Sequence, residues 1–188
     1  MPMTEDQSLK YEALSRAARM IIAALDDDVT REGLKDTPDR FARAWLEFGS
    51  FDAGNTDAVF SVQSDDMVVA TGINVWSVCE HHLLPFSCRI AVGYIPNGLV
   101  LGLSKLPRIC QRHAHRLQIQ ERLVAQIADD VRISTPGVQD VAVVAVGTHL
   151  CAAMRGVRSE VQLTTSALRG RFKTDQAMRL EFMKLAKV

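Results

Sequence analysis

The sequence lacks several features that would assign its 188 residues to a specialised class. It has no net charge, because 22 lysines and arginines balance 22 aspartates and glutamates, so no long-range field attracts nucleic acid or an anionic membrane. Its longest purely apolar run, around Val141 to Val146, is far shorter than the roughly 20 residues that span a bilayer. The N-terminus has no apolar stretch typical of a signal peptide. We therefore expect no nucleic-acid partner, no membrane contact and a cytoplasmic location.

Cysteine is scarce too, with four residues in the chain: Cys79, Cys88, Cys110 and Cys151. In a reducing cytosol, such cysteines serve more often as metal ligands, nucleophiles or core residues than as disulfides. A chain of this length buries roughly 70% of its unfolded surface. Since 47% of its residues are hydrophobic, a core can form without covalent or metal crosslinks. A bound metal is therefore expected to serve chemistry, and Cys110, beside Ile109 on a predicted helix, is expected in the core.

Apolar spacing predicts helices before, between and after two groups of strands. Helices are expected over Ser8 to Leu25, from Thr37 as N-cap to just before Gly49, from Ser104 to about His115, over 123–131, and from Thr174 through Leu185. Strands are expected over Met67 to Ile73, Asn74 to Val78, Cys88 to Ile95, Leu99 to Leu103, Val138 to Leu150 and Val157 to Ser166.

The turn Pro96-Asn97-Gly98 favours a hairpin between the strands on either side of it. Hairpin signals outnumber crossover signals along the chain, so we predict an α+β fold with a mainly antiparallel sheet. Residues 1–66 are expected to form a helical region with a connecting excursion, and residues 67–188 a single unit of sheet and helices.

Two short segments carry the densest metal-binding chemistry. Cys79 and His82 have C-x-x-H spacing, at which one turn can present both side chains to a single ion. In a strand, His149 and Cys151 point to the same face. Three ligands, Cys79, His82 and Cys151, with a fourth position open to water are typical of catalytic zinc, which lowers the pKa of its water toward about 7. His81 and His149 would remain for proton transfer.

The spacing alone leaves two other interpretations of these residues open. Cys88 could complete a closed four-ligand structural zinc site, or the cysteines and histidines could be buried without any metal.

A basic cluster, Ser104, Lys105 and Arg108, lies where a helix is predicted to begin. Free backbone N–H groups and the helix dipole attract anions there, whereas cations are locally unfavourable, so the cluster favours a phosphate site. Further cations that could add to it are Arg40, Arg43 and Arg155. The alternative is a solvated basic turn.

The pair Gln120-Glu121 suits recognition of a purine base. A glutamate carboxylate can accept two parallel hydrogen bonds from the N1–H and amino edge of guanine, and the neighbouring amide can read another edge atom. The alternative is an exposed polar pair on a helix.

From about Leu9 to Val188 the chain resembles GTP cyclohydrolase I, a family of zinc enzymes. The resemblance rests on the segments REGLKDTPDRFA at 31–42, SVCEHHLLPF at 77–86, VGYIPNGLVLGLSKLPRI at 92–109, RLQIQERLVAQIA at 116–128 and THLCAAMRGV at 148–157. It implies a T-fold, an antiparallel sheet with helices packed on one face, in a toroidal homodecamer with active sites between subunits. The implied reaction converts GTP and water to formate and 7,8-dihydroneopterin triphosphate, the first step toward folate, biopterin or 7-deazaguanine compounds.

The resemblance also implies a role for each matching position. Cys79, His82 and Cys151 would bind Zn²⁺, and His81 and His149 would transfer protons. The triphosphate would be held by Ser104, Lys105, Arg108 and Arg155, together with Arg40 and Arg43. Gln120 and Glu121 would hold the guanine.

Two features depart from the family's pattern. Cys88 stands where a glycine is usual, and the segment Ser159 to Leu168 is one residue shorter than usual. The first raises the alternative of a non-catalytic paralogue, a ligand-binding or scaffold ring with a closed zinc site. The second bears on the pocket wall and on substrate preference, because losing one residue from a strand reverses the facing of those that follow.

Overall fold

The computed structural model of the chain describes residues 3–25 and 27–187. The chain divides into two compact units, the first ending at Phe51 and the second beginning at Asp52. Residues 52–66, grouped with the helical region in the sequence analysis, thus belong to the unit that contains the sheet. Among the described residues, no helix is both long enough and apolar enough to cross a bilayer.

The first unit is a pair of helices, α1 (Glu5–Ala24) and α2 (Thr37–Gly49). A capping box closes the start of α1, where Thr4 and Gln7 satisfy each other's backbone N–H groups. In α2 the N-cap is Asp36 rather than Thr37, which is already helical, and Pro38 occupies the first turn. The Tyr11 hydroxyl donates to the Asp39 carboxylate at 2.5 Å and links the two helices.

The second unit contains two sheets. The strands are β1 (Val59–Ser61), β2 (Val68–Cys79), β3 (Pro85–Tyr94), β4 (Leu99–Leu101), β5 (Leu117–Gln118), β6 (Val141–His149) and β7 (Gln162–Arg169). The main sheet has the order β5-β2-β3-β6-β7 and is antiparallel except where the two-residue β5 runs parallel to β2. The predicted α+β class with a mainly antiparallel sheet is confirmed.

Helices cover the faces of this sheet unequally. They are α3 (Lys105–Ala114), α4 (Gln120–Ser134), α5 (Leu150–Ala153), α6 (Arg171–Thr174) and α7 (Gln176–Ala186). On one face, Phe86, Ile90 and other alternate residues of β3 pack with α3 and α4. On the other face, Ala91 packs with Phe182 of α7. Each fully buried residue of this size contributes about 1.5–3 kcal/mol, so the core holds α4 firmly against β6 and β7.

Several sequence predictions were wrong in detail. The strand β4 pairs with β1 in a separate two-stranded sheet, not with β3 as a hairpin, and the Leu101 backbone N–H donates to the buried Tyr94 hydroxyl at 3.0 Å. The two strands predicted over 67–78 are one strand, β2, whose register shifts between Ala70 and Ile73, where Gly72 has a φ of +71°. An apolar alternation identifies a strand but not its partner, and a bulge interrupts the alternation without ending the strand.

The chain after β6 differs from the prediction as well. The strand ends at His149, and Cys151 lies on the short helix α5 instead of continuing the strand. The closing helix begins at Gln176, where the Asp175 side chain accepts from the Met178 N–H, and Thr174 ends α6. Cys110, on the inward face of α3, is completely buried in the core, as expected.

Candidate functional site

Three residues of the second unit form a compact set of metal-ligand side chains. The buried Cys79 ends β2, the exposed His82 lies in the turn that follows, and the half-buried Cys151 lies on α5. Their ligand atoms all lie within 4.8 Å of one another, and among the described residues this is the single group of three or more such side chains. The structure therefore brings together the predicted ligand set.

The turn that carries His82 is closed by backbone hydrogen bonds. The Cys79 N–H donates to the Leu84 carbonyl and the Leu83 N–H donates to the Cys79 carbonyl, both at 2.9 Å. Leu83 has a φ of +54°, a left-handed conformation that costs a residue with a Cβ roughly 1–2 kcal/mol. The turn thus stores backbone strain beside the candidate ligands.

The cluster fits a tetrahedral zinc ion. With a Zn–S bond of about 2.3 Å and a Zn–N bond of about 2.0–2.1 Å, a sulfur and a nitrogen ligand lie about 3.6 Å apart. The Cys79 Sγ to His82 Nδ1 distance is 3.8 Å. Burial is the largest cause that raises the pKa of the Cys151 thiol, and the neighbouring Cys79 raises it further. A bound cation would lower that pKa and favour the thiolate.

Cys88 is not part of this cluster. It is buried on β3, opposite Gly147 of β6, and burial alone raises its pKa to about 12. A fourth thiolate ligand from Cys88 is therefore not favoured by this geometry, nor is the closed site that depends on it.

An ion pair links α4 to the turn at residues 80–84, which carries His82 and is called the metal turn below. Both guanidinium nitrogens of Arg122 donate to the Glu80 carboxylate, at 2.7 and 2.8 Å, in the two-pronged geometry that fixes both groups. The Glu80 backbone N–H also donates to the Gln118 carbonyl at 3.1 Å. The sequence pattern did not predict the ion pair between Arg122 and Glu80, although Glu80 lies inside the Cys79–His82 motif.

His149 is held at the end of β6 by two contacts. Its ring stacks on the buried Phe86 ring, with centroids 4.4 Å apart and planes 4° from parallel. Its Nε2 lies 3.0 Å from Oε1 of Gln120. Burial lowers the pKa of His149, while the nearby Glu121 carboxylate opposes that shift, so the neutral ring is favoured at neutral pH.

The predicted base-recognition pair, Gln120 and Glu121, is split between the interior and the surface. Gln120 is 1% exposed, and its amide nitrogen and oxygen are both hydrogen-bonded inside the chain. Glu121 is exposed, and within residues 3–25 and 27–187 its carboxylate has no hydrogen bond or ion pair. Glu121 therefore has a free edge for a ligand, and Gln120 does not.

The basic cluster lies away from the ligand cluster within one chain. The helix α3 begins near Leu101, which contacts Tyr94, whereas its last residue, Ala114, accepts from Ser77 near the metal turn. Ten helical residues span about 15 Å, so Lys105 lies at the end of α3 away from the Ser77 contact and from the metal cluster.

The predicted cations have local partners in several cases. Lys105 donates to the Asn55 carbonyl at 3.1 Å and Arg108 to the Ala53 carbonyl at 2.6 Å, while Ser104 is exposed and forms no side-chain cap. Arg155 is exposed, and its charge lowers the pKa of Cys151 slightly against the larger effect of burial. In the first unit, Arg40 and Arg43 pair with acidic residues of the same helical segment, Asp36 and Asp39.

Comparisons with known proteins give a consistent result. Residues 14–187 match the family model for GTP cyclohydrolase I. Proteins named GTP cyclohydrolase 1 from Methylococcus capsulatus and Pseudoalteromonas translucida are 46% and 43% identical to this chain. The matches cover 88% of this chain and 92% of the first relative, and 94% and 99% in the second case. A relative with the same name from Hyperthermus butylicus is 42% identical over 92% of this chain and 89% of its own length.

Among solved structures, an apo archaeosine synthase QueF-Like is similar to part of the chain. It has a TM-score of 0.45 and 19% identity, and the match covers 56% of this chain and 95% of that protein. The chain belongs to the GTP cyclohydrolase I family, because the family model and the named relatives each match most of its length.

Proposed function

We propose that this member of the GTP cyclohydrolase I family converts GTP and water to 7,8-dihydroneopterin triphosphate and formate. One observation carries the proposal beyond family membership. The cluster of Cys79, His82 and Cys151 lies in the same region as a neutral, rigidly held His149 and a free Glu121 carboxylate. A hydrolytic ring opening requires these components: an activated water, a proton acceptor and an anchor for the base.

We propose Zn²⁺ as the cofactor, held by Cys79, His82 and Cys151. When bound there, it would supply an activated water with a pKa near about 7. The remaining residues act on the substrate. His149, with its pKa lowered by burial, is ready to accept a proton, and the exposed His81 can donate or accept one at the mouth of the site. Glu121 accepts the N1–H and amino hydrogens of guanine.

The triphosphate is assigned to the Ser104 hydroxyl and the basic residues Lys105, Arg108 and Arg155, with Arg40 and Arg43 as further candidates. Lys105 begins α3 at the end of the helix away from Ala114, whose carbonyl accepts from Ser77 near the metal cluster, so the basic residues and the metal cluster of one copy lie apart. We therefore propose that the start of α3 in one copy completes the site beside the metal cluster of another. The predicted homodecamer would supply such pairs of copies.

The first test is to incubate the zinc-loaded protein with GTP and to measure formate and the oxidised, fluorescent pterin. Equal amounts of both support the whole reaction. Formate without pterin would mean that ring opening proceeds and rearrangement fails, which points to the shortened segment at 159–168. If GTP is untouched while zinc remains bound, the non-catalytic ring becomes the better explanation. The variant Cys151→Ser should lose both zinc and turnover.

The second test concerns the shared site. Cys151→Ser and Lys105→Ala are each expected to be inactive, and the two are co-expressed so that they assemble together. If each site takes its metal half and its basic half from different copies, about a quarter of the sites regain both intact halves. If both halves came from one chain, co-assembly would restore no activity, and the proposal of a shared site would fail.

The pathway that consumes the product and the cytoplasmic location both remain predictions from the sequence. Genes adjacent to the coding sequence would distinguish folate or biopterin synthesis from 7-deazaguanine synthesis. Fractionation of the cell would test the location.

A further inference from the structure

Gln120, the first residue of α4, has an environment unlike that of a substrate-binding side chain. It is 1% exposed and has four polar contacts within the second unit. We propose that Gln120 is a positioning residue, which holds His149 with its Nε2 protonated and its Nδ1 free to accept a proton. The expected effect on the turnover of GTP rests on the proposed function, whereas the protonation of His149 at Nε2 does not.

The orientation of the Gln120 amide follows from its neighbours. Its nitrogen lies 3.1 Å from the Ala145 carbonyl and 2.8 Å from the Leu163 carbonyl, and both oxygens can only accept hydrogen bonds. The Thr165 hydroxyl lies 3.1 Å away as a third partner. Exchanging the amide nitrogen and oxygen would place the amide oxygen against three other oxygens and remove the hydrogen bonds to both carbonyls. The amide oxygen must therefore face His149.

That orientation determines where the proton lies on His149. An amide oxygen only accepts, so the His149 Nε2 at 3.0 Å must carry the hydrogen. In the neutral imidazole one ring nitrogen carries the hydrogen and the other accepts, so a hydrogen on Nε2 makes Nδ1 the acceptor. Within residues 3–25 and 27–187, no hydrogen bond uses this Nδ1. Stacking on Phe86 fixes the plane of the ring, so the acceptor has one defined direction.

The same contacts connect His149 to β7. The Leu163 carbonyl and the Thr165 hydroxyl, which both lie near the Gln120 amide nitrogen, belong to this strand. A displacement of this strand would move the Gln120 amide and, through it, the ring of His149. Gln120 therefore couples three elements, α4, β6 and β7, to one proton acceptor.

The test compares two buried glutamines. Gln120→Met keeps the side-chain volume but removes the acceptor for His149. Gln118→Met is the matched control, since Gln118 is equally buried and hydrogen-bonded to the His113 carbonyl and Gln126, not to His149. Each variant is prepared as the zinc-loaded full chain with 15N-labelled histidine. The chain has five histidines, and His149→Asn identifies the signal of His149.

We expect a protected Nε2–H signal for His149 in the wild type and in Gln118→Met, and its loss or exchange-broadening in Gln120→Met. The turnover number, kcat, for GTP should fall about 10- to 100-fold in Gln120→Met while KM changes little. An unchanged His149 signal in Gln120→Met would overturn the proposal. A raised KM with intact kcat would also overturn it, and would return Gln120 to the base-recognition role expected from the sequence.

Failure of the proposed function would look different. An inactive wild type with a protected His149 signal would retain the positioning role and reject GTP hydrolysis. If Gln120→Met does not fold, Gly147→Ala provides a second variant, because a Cβ at that position would meet the Gln120 Oε1 atom. This variant should displace the Gln120 amide and thereby remove the Nε2–H signal of His149. If the amide is displaced and the His149 signal remains, the result counts against the proposal.

Discussion

A single methyl group at Gly147 should disturb both the core and the site. Gly147 lies on β6 between Ala145 and His149 and faces Cys88 across the sheet. A Cβ built there would overlap the Gln120 Oε1 atom and lie 2.9 Å from the Cys88 Sγ atom, both far inside van der Waals contact. Gly147 does not have a positive φ, so the effect of Gly147→Ala comes from these contacts and not from backbone strain.

The magnitude follows from how little Gln120 can move. Its amide nitrogen is tied to the carbonyls of Ala145 and Leu163, so making room for the methyl group breaks at least one buried hydrogen bond. Overpacking costs about 1–3 kcal/mol and the lost hydrogen bond about 1 kcal/mol. A loss of about 2–4 kcal/mol lowers the melting temperature by about 5–15 °C in a chain of this size.

Thermal unfolding and formate release measure the two effects. Gly49→Ala is the control, because a Cβ at that position meets no atom within 4 Å apart from its chain neighbours and the nearby backbone of its own helix, and its stability should stay within about 0.5 kcal/mol of the wild type. Adding Cys88→Ala to Gly147→Ala removes the sulfur contact but not the contact with Gln120, so it should restore only part of the loss. If Gly147→Ala melts and turns over like the wild type, the packing described around His149 is incorrect.

Three further predictions concern the metal turn and the buried thiols. Arg122→Ala should weaken zinc binding about 10- to 100-fold in a chelator competition, because it frees the Glu80 carboxylate, and restored affinity in Glu80→Arg combined with Arg122→Glu would identify the ion pair as the cause. Leu83→Gly should leave the unfolding free energy within about 1 kcal/mol of the wild type. Leu83→Val should lower it by about 1–2 kcal/mol or more, because a branched side chain opposes the left-handed backbone. Equal stabilities of the two variants in denaturant would contradict this prediction. Burial raises the thiol pKa values of Cys88 and Cys110 to about 12, so these thiols ionise at lower pH in the unfolded chain than in the folded one. The unfolding free energy should therefore fall as pH rises from about 9 toward 12. Replacing both cysteines by alanine should flatten that decline, and a decline that the substitutions do not change would refute the assignment.

The ligand cluster was predictable from sequence because its chemistry is local and its residue types are distinctive. Cys79 and His82 share one turn, and the histidine and cysteine of the second segment come from a motif with its own spacing. The local structure around Cys151 was less predictable, since a four-residue helix leaves too short a pattern to distinguish it from a continuing strand.

The environment of Gln120 was not predictable in this way. Two polar residues in succession at the start of a helix, Gln120 and Glu121, read as an exposed pair. Gln120 is buried and Glu121 is exposed, because β6 and β7 offer carbonyl acceptors on the side of the helix that carries Gln120. These acceptors come from residues 25 and 43 positions away in the chain, and a pattern within one helix contains no record of them. The pairing of β4 with β1 escaped prediction for the same reason.

The separation of Lys105, at the start of α3, from the metal cluster has a consequence for how defects would be inherited. With the two halves of a site on different copies, every chain participates in two sites, and a chain that has lost Cys151 still lends an intact basic half to its neighbour. Two defects carried by separate alleles would then partly compensate each other. The same two defects combined in one allele, alongside a normal one, would leave the same fraction of sites intact, about a quarter, whereas sites built within one chain would leave about half intact in this case and none in the other. Complementation in a mixed population would thus depend on whether the two mutations affect different halves of the site.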